Sequence, residues 1–290
     1  MQYRELGRGS DAVQVSAIGL GEMPLSLRGR PDEAQAIRTI HASLDNGVTL
    51  IDTADAYCED SRDTGHGERL VAKALATYGG DTSEIMVATK GGHVRTRDGS
   101  WDVDGRSEHI RQAADASLKA LGVDVIGLYQ FHRPDPKVPY ADSVGAIKEL
   151  LDAGKIRLAG ISNATVEQIE LADRIFDGRL AAVQNQFSPK FRSSEGELDY
   201  TREHGIAFLP WSPLGGIGRA DEIEKAFPAF AKIARERSIS PQQVTLAWML
   251  AKGANVIPIP GSSRPETAAA SAAAAEIELS DAEIAALDAS

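Results

Sequence analysis

Three apolar runs end on residues that can hold, donate or steer a proton. In "TLIDTADAY", residues 49–57, Asp52 follows Leu50 and Ile51, and a phenol closes the stretch at Tyr57. "IMVATKGG" sets down Lys90, and "IGLYQFHRPD" sets down His132. Singly, each has an ordinary structural role: aspartate after a strand makes turns, lysine snorkels to water, and histidine or tyrosine anchors loops. Together they suit one reaction, the protonation of a carbonyl oxygen as it becomes an alkoxide. A free tyrosine, with a pKa of about 10, is a weak acid near neutrality. A neighbouring ammonium lowers that value by stabilising the phenolate. Asp52 would keep Lys90 charged and oriented, and His132 would donate a hydrogen bond to the substrate oxygen. The proton must be matched by a hydride, which no side chain supplies, so a nicotinamide cofactor is implied.

For these residues to meet, the elements carrying them must end on one rim. Short β-branched or apolar runs fall at Ser16–Leu20, Val48–Ile51, Ile85–Ala88, Val125–Gln130, Ile156–Gly160, Ala181–Gln186, Ile206–Leu209 and Asn255–Pro258. Between them lie stretches with helical spacing, such as "SEHIRQAADASLKALG" and "YADSVGAIKELLDAG", several opening on a capping residue and closing on glycine. Strands alternating with helices imply parallel pairing. Eight such units in a chain of 290 residues predict a closed (β/α)₈ TIM barrel occupying residues 1–290 as one domain. "QYRELG…VQVSAIG" is expected as an N-terminal hairpin and "SDAEIAALDAS" as an extra C-terminal helix capped by Ser280. The rival is an open doubly wound sheet. "GLGEMP", Gly19 to Pro24, puts proline where its third glycine belongs, which favours the barrel.

Active sites of such barrels lie at the C-terminal ends of the strands. The later strands deliver Ser162 and Asn163, then Gln184, then Trp211 and Ser212, and last a small-residue loop, Gly261 to Ser263, with Arg264 before a helix. Ser, Asn and Gln side chains offer donors and acceptors for an amide, and the indole offers a stacking face. Gly261, Ser262 and Ser263 lead into a helix N-terminus, where free N–H groups and Arg264 suit a phosphate.

The motifs "IDTADAY", "VATKGG", "QFHRPD", "GISNA", "WSPLGG" and "IPGSSRPE", in this order, resemble the aldo-keto reductase superfamily, from about Tyr3 to Leu287. The resemblance implies a (β/α)₈ barrel that binds NADPH without a Rossmann domain, and a tetrad of Asp52, Tyr57, Lys90 and His132 with Tyr57 as general acid. It also implies cofactor contacts from Gly21, Glu22, Met23 and Asp52, from Ser162, Asn163 and Gln184 at the carboxamide, and from Trp211 at the ring. Further contacts fall on Ser212, Pro213, Leu214 and Gly215, then on Ile259, Gly261, Ser262, Ser263, Arg264, Thr267 and Ser271. Many relatives have tyrosine in place of Trp211, and a basic residue followed by Glu-Asn where this chain has Thr267, Ala270 and Ser271. Arg264 favours NADP(H), with NAD(H) the alternative.

Met23, Tyr57, Trp101 and Phe131 are expected to form an apolar pocket beside His132 for a small aldehyde or ketone. Residues 91–106 read as a long polar loop whose Trp101 either covers the site or pins the loop. Cys58, the only cysteine, has no matching base and allows no disulfide; the six histidines lack metal-ligand spacing. A net charge of −11 without a basic stripe argues against nucleic acid and anionic membranes. No apolar run of spanning length or signal-peptide type appears, and a cytoplasmic location is expected. Two further readings stand beside carbonyl reduction: a cofactor-bound regulatory module, and an alcohol or sugar dehydrogenase working in the oxidative direction. Nothing in the pattern sets an oligomeric state.

Overall fold

In the computed structural model, which describes residues Met1–Ser290, the chain opens with an antiparallel hairpin of β1 (Tyr3–Leu6) and β2 (Val13–Ser16). Seven parallel strands follow: β3 (Leu20–Gly21), β4 (Leu50–Asp52), β5 (Met86–Gly91), β8 (Ile126–Phe131), β9 (Ile156–Ser162), β10 (Leu180–Gln184) and β11 (Ala207–Phe208), each hydrogen-bonded to the next. A second hairpin, β6 (His93–Arg95) and β7 (Trp101–Val103), interrupts them after β5. The helices between strands are α1 (Glu33–Asp45), α2 (His66–Thr77), α3 (Ser107–Leu121), α4 (Tyr140–Asp152), α5 (Val166–Ile175) and α6 (Glu195–Glu203). After β11 come α7 (Ile223–Ala226), α8 (Pro228–Arg237), α9 (Pro241–Ala251), α10 (Pro265–Ala273) and α11 (Asp281–Asp288). Capping boxes open α5, α9 and α11, the last on the expected Ser280. No helix is long and apolar enough to cross a membrane.

The eighth position of the barrel is filled without a regular strand. Ile257 and Ile259 donate to the Phe208 and Pro210 carbonyls on one side, while Pro258 and Pro260 accept from Gly19 and Gly21 on the other. Both prolines lack the N–H that would return a bond to the first strand, so half of that ladder cannot form. The segment closes the (β/α)₈ barrel through single bridges, Phe208 to Val256 and Gly21 to Gly261. The expected strand Asn255–Pro258 is corrected accordingly. The expected Ser16–Leu20 strand is also divided: Ser16 ends the hairpin, and the barrel begins at Leu20.

Strand side chains alternate between faces, and this parity decides what enters the barrel. Leu50, Ala88, Leu128, Leu158, Ala182, Leu209, Ile257 and Ile259 form one buried cluster inside it, and Leu6 and Val15 of the first hairpin join them. Arg4 ties that hairpin to the barrel by donating to the Val256 and Leu250 carbonyls at 2.7 and 2.9 Å. Beyond the apolar layer, on the same parity, stand Asp52, Lys90, Gln130 and Gln184, each two residues on, and Ser162, four residues past Leu158 with Gly160 between, all buried. Residues of opposite parity, such as Tyr129, Phe131, Ile161, Val183 and Phe208, pack outward with helix residues in a separate cluster.

Gly160 makes room for the polar layer. A Cβ there would lie 2.9 Å from Gln130 Cγ and 3.1 Å from the Ala182 carbonyl. Gly160→Ala is therefore expected to destabilise the fold by about 1–3 kcal/mol through overpacking. Thermal denaturation should show a Tm lowered by roughly 3–10 °C; an unchanged Tm would mean that the layer has slack.

Candidate active site

The polar layer is organised around one buried cation. Lys90 Nζ donates to Asp52 Oδ1 at 2.6 Å, the Thr53 carbonyl at 2.8 Å and Tyr57 Oη at 3.2 Å. An ammonium has three protons, and here all three are used. Asp52 is held from its other oxygen by Gln184 and Gln130 Nε2 at 2.8 and 3.2 Å. Burial pulls the Lys90 pKa down, but Asp52 and Tyr57 outweigh it and hold the ammonium above its ordinary range. Because Tyr57 Oη accepts from Lys90, the hydroxyl's own proton must point elsewhere. Tyr57 lines the cavity at the strand ends, so that proton is free to face it.

The acidity expected of Tyr57 needs correction. Lys90 does pull its pKa down, but burial is the larger effect, Asp52 adds to it, and the phenol ends above its ordinary value. At neutral pH the group is a protonated donor. His132 stands opposite, its ring edge-on to Tyr57 with centroids 5.8 Å apart. Burial pushes His132 well below the usual histidine range, and Lys90, His93 and Arg133 push it further, so it is neutral. Its Nδ1 is buried without a partner. A stranded N–H is costlier than a stranded acceptor, which places the ring proton on Nε2, the nitrogen left to meet the cavity.

The cavity holds about 730 Å³, within the range of small-molecule sites. Its walls include Gly21, Met23, Asp52, Tyr57, Trp101, His132, Ser162, Asn163, Gln184, Trp211, Ser212, Pro213, Leu214, Ile259, Gly261, Ser262 and Ser263. Lys90 lies directly behind them with no exposure. Ser162 Oγ donates to the Gln184 carbonyl at 2.7 Å, and Asn163 Nδ2 donates to the His132 carbonyl at 3.0 Å. Asn163 and Ser212 both take the left-handed conformation, with φ of 57° and 51°, which turns the chain sharply at the rim. The Asn163 and Gln184 amide oxygens remain without a partner, two acceptors suited to the N–H₂ of a carboxamide. Trp211 adds an indole face and a buried N–H without an acceptor. This donor set fits a nicotinamide nucleotide. At the far end Arg264 caps α10, exposed and free of any ion pair, while Ser262 Oγ and the Thr267 hydroxyl bind each other.

Six expected contacts fall outside the cavity wall. Phe131 is wholly buried on the outward parity, where it packs against Tyr140 of α4 with ring centroids 5.7 Å apart. Adjacent strand residues cannot share a face, and His132 takes the inward one. Glu22 is likewise wholly buried, turned toward Ser26 and Thr53. Gly215 lines a neighbouring smaller hollow with Arg219, since positive φ values at Ser212, Gly215, Gly216 and Gly218 fold the chain back so that Gly216, Ile217, Gly218 and Ala220 reach the mouth instead. Arg264 projects to solvent, Thr267 pins the turn by donating to the Arg264 carbonyl at 3.0 Å, and Ser271 sits further along α10.

Residues 91–106 are not structureless. The β6–β7 hairpin pairs Arg95 with Trp101, whose ring is covered by the Arg95 guanidinium at 4.0 Å and stacked on His93 at 4.3 Å. Trp101 thus pins the hairpin and also lines the cavity. Sequence reasoning missed His93, Asp102, Val103 and Arg133 on this wall. The alternation in "HVR" and "WDV" was the available signal. Burial lowers His93 to about 4, so its ring is neutral. Cys58 is buried, and burial pushes its thiol up to about 11, an inert group.

Comparison with known proteins agrees with this geometry. The Aldo/keto reductase family model matches residues 17–290. An uncharacterised oxidoreductase of Schizosaccharomyces pombe is 34% identical over 282 residues, covering 97% of this chain and 85% of the relative. A 6-dehydroglucose reductase of Novosphingobium aromaticivorans is 32% identical over 283 residues, 95% of this chain and 90% of the relative. Among solved structures, a glycerol dehydrogenase from Gluconobacter oxydans superposes with a TM-score of 0.83 at 27% identity, covering 99% of this chain and 94% of that one. An aldo/keto reductase from Klebsiella pneumoniae in complex with NADP and acetate gives 0.80 at 27% identity, covering 99% and 95%. The chain belongs to the aldo/keto reductase family and is an oxidoreductase of carbonyl chemistry.

Lys90→Met leaves Asp52 buried without its counter-charge. The expected cost is about 3–5 kcal/mol, measured by urea denaturation. Adding Asp52→Asn should recover part of that loss. A double variant as unstable as the single one would show that the pair is not the source of the penalty.

Proposed function

We propose that this chain reduces a small aldehyde or ketone with NADPH, with Tyr57 as the general acid. The carrying observation is the 3.2 Å bond from Lys90 Nζ to Tyr57 Oη, which leaves the phenol proton free to enter the cavity. The substrate carbonyl oxygen lies between Tyr57 Oη and His132 Nε2. When bound, the dihydronicotinamide supplies the hydride to the carbonyl carbon. As the oxygen gains charge, the His132 N–H stabilises it and Tyr57 gives up its proton. Lys90 holds the resulting phenolate until solvent returns the proton. Asp52, fixed by Gln130 and Gln184, keeps Lys90 charged throughout. A phenol that stays protonated at neutral pH suits reduction; alcohol oxidation needs the phenolate and gains rate as pH rises.

Asn163 and Gln184 would accept from the carboxamide, and Trp211 would offer its indole face to the ring. Ser262, Ser263 and the N-terminus of α10 hold the phosphate end, where Arg264 favours the 2′-phosphate of NADPH. On the substrate side, His93, Asp102 and Arg133 add polar groups to a lining that also carries Met23 and Trp101. That mixture suits a hydroxylated carbonyl compound, in keeping with relatives named for 6-dehydroglucose and glycerol. The net charge of −11 suits neither nucleic acid nor an anionic membrane as partner.

Tyr57→Phe is expected to lower kcat for aldehyde reduction by about 10²–10⁴-fold while NADPH still quenches tryptophan fluorescence with the wild-type Kd. Reduction undiminished by that change would reject the mechanism. Arg264→Ala should weaken NADPH binding by roughly tenfold, the loss of one charge-assisted contact of about 1.5 kcal/mol, and leave NADH binding nearly unchanged. Equal effects on both cofactors would remove Arg264 from the phosphate site.

A further inference from the structure

Behind the tetrad lies a carboxyl that this chemistry does not use. Glu22 follows β3, is wholly buried, and gives its backbone N–H to the Asp52 carbonyl at 2.9 Å. One side-chain oxygen accepts from the Ser26 hydroxyl and the other from the Thr53 hydroxyl at 3.0 Å. Ser26 Oγ in turn meets Nδ1 of half-buried His66 at 2.8 Å. The far side is closed by α2: a Cβ on Gly67 would stand 2.5 Å from Glu22 Oε2 and 2.6 Å from Thr53 Oγ1. Thr53 is the link to the site. Its hydroxyl is held by Glu22 while its carbonyl accepts from Lys90 Nζ at 2.8 Å.

A buried carboxyl is a costly filler where a neutral side chain would satisfy the same two hydroxyls. Resting on the reading of Tyr57 as proton donor, we propose that Glu22 is a positioning residue that fixes Thr53 beneath Lys90 and sets, by its charge, how readily Tyr57 parts with its proton. The groups facing it are Ser26 on its own segment, Asp52, Thr53 and Tyr57 from β4 and the turn beyond, and Lys90 from β5. From α2, His66 reaches it through Ser26, with Arg30 nearby. Burial pushes Glu22 up to about 8, with the Ser26 and Thr53 hydroxyls and Lys90 pulling back and Asp52 adding to the rise. It is therefore neutral below that pH and anionic above it. The anion raises the pKa of Tyr57. Glu22 thus keeps the phenol protonated as the medium turns alkaline and slows the appearance of the phenolate that oxidation needs.

The test uses the full chain grown with ring-fluorinated tyrosine, whose fluorine also brings phenol ionisation to lower pH. The Tyr57 resonance is assigned by its loss in Tyr57→Phe, and fluorine NMR follows it with pH in the wild type and in Glu22→Gln. The wild-type resonance is expected to show an inflection near pH 8. In Glu22→Gln that inflection disappears, and the phenol's own titration moves down by about half a unit. A wild-type resonance without the inflection overturns the proposal, and so does an inflection that persists in Glu22→Gln. Unshifted signals from the other tyrosines show that the variant is folded; if it is not, the wild-type inflection alone decides. Failure here leaves the Tyr57 mechanism standing, because that reading falls only if Tyr57→Phe remains active.

Discussion

An ammonium buried at the top of a barrel is the constraint around which this protein is arranged. Removing Lys90 from water costs several kcal/mol unless its charge is balanced and its protons are bonded. Asp52 balances the charge, and Asp52, Thr53 and Tyr57 take the three protons. The third acceptor converts a structural requirement into chemistry. A phenol bound through its oxygen must aim its proton away from Lys90, and the open direction is the cavity. Burial then keeps that proton in place at neutral pH, against the pull of the ammonium.

The rest of the barrel makes this arrangement affordable in space. Strand parity stacks an apolar layer below and a layer of Asp52, Lys90, Gln130, Ser162 and Gln184 above it. Gly160 removes a Cβ where Gln130 must cross, and Gly67 does the same where α2 meets Glu22 and Thr53. Pro258 and Pro260 close the barrel with half a ladder, so the last two isoleucines still fill the interior. Rim residues in left-handed conformation, Asn163 and Ser212, turn the strands outward at the level where a cofactor would lie.

Much of this could be read from residue order. Polar residues at the ends of apolar runs pointed to Asp52, Tyr57, Lys90 and His132, because their convergence on one rim, rather than any one of them, is hard to explain by ordinary turn and loop roles. What escaped depended on quantities that a sequence does not display. Phe131 was misassigned to the pocket because the strand's exit level was considered without its parity, and its neighbour His132 already occupied the inward face. The β6–β7 hairpin hid in a polar stretch because its stability comes from Trp101 stacked between Arg95 and His93 rather than from an apolar face. The acidity of Tyr57 depended on how deeply it is buried, which outweighs the ion beside it. Glu22 looked like a cofactor contact because its distance from the cavity is set by the turn after β3.

The most direct test of the central claim is a crystal structure with NADP⁺ and a carbonyl-bearing inhibitor. The account predicts the ligand's carbonyl oxygen within hydrogen-bond reach of both Tyr57 Oη and His132 Nε2, with Lys90 still donating to the phenol oxygen. A carbonyl oxygen bound elsewhere, with Tyr57 turned away from Lys90, would contradict it.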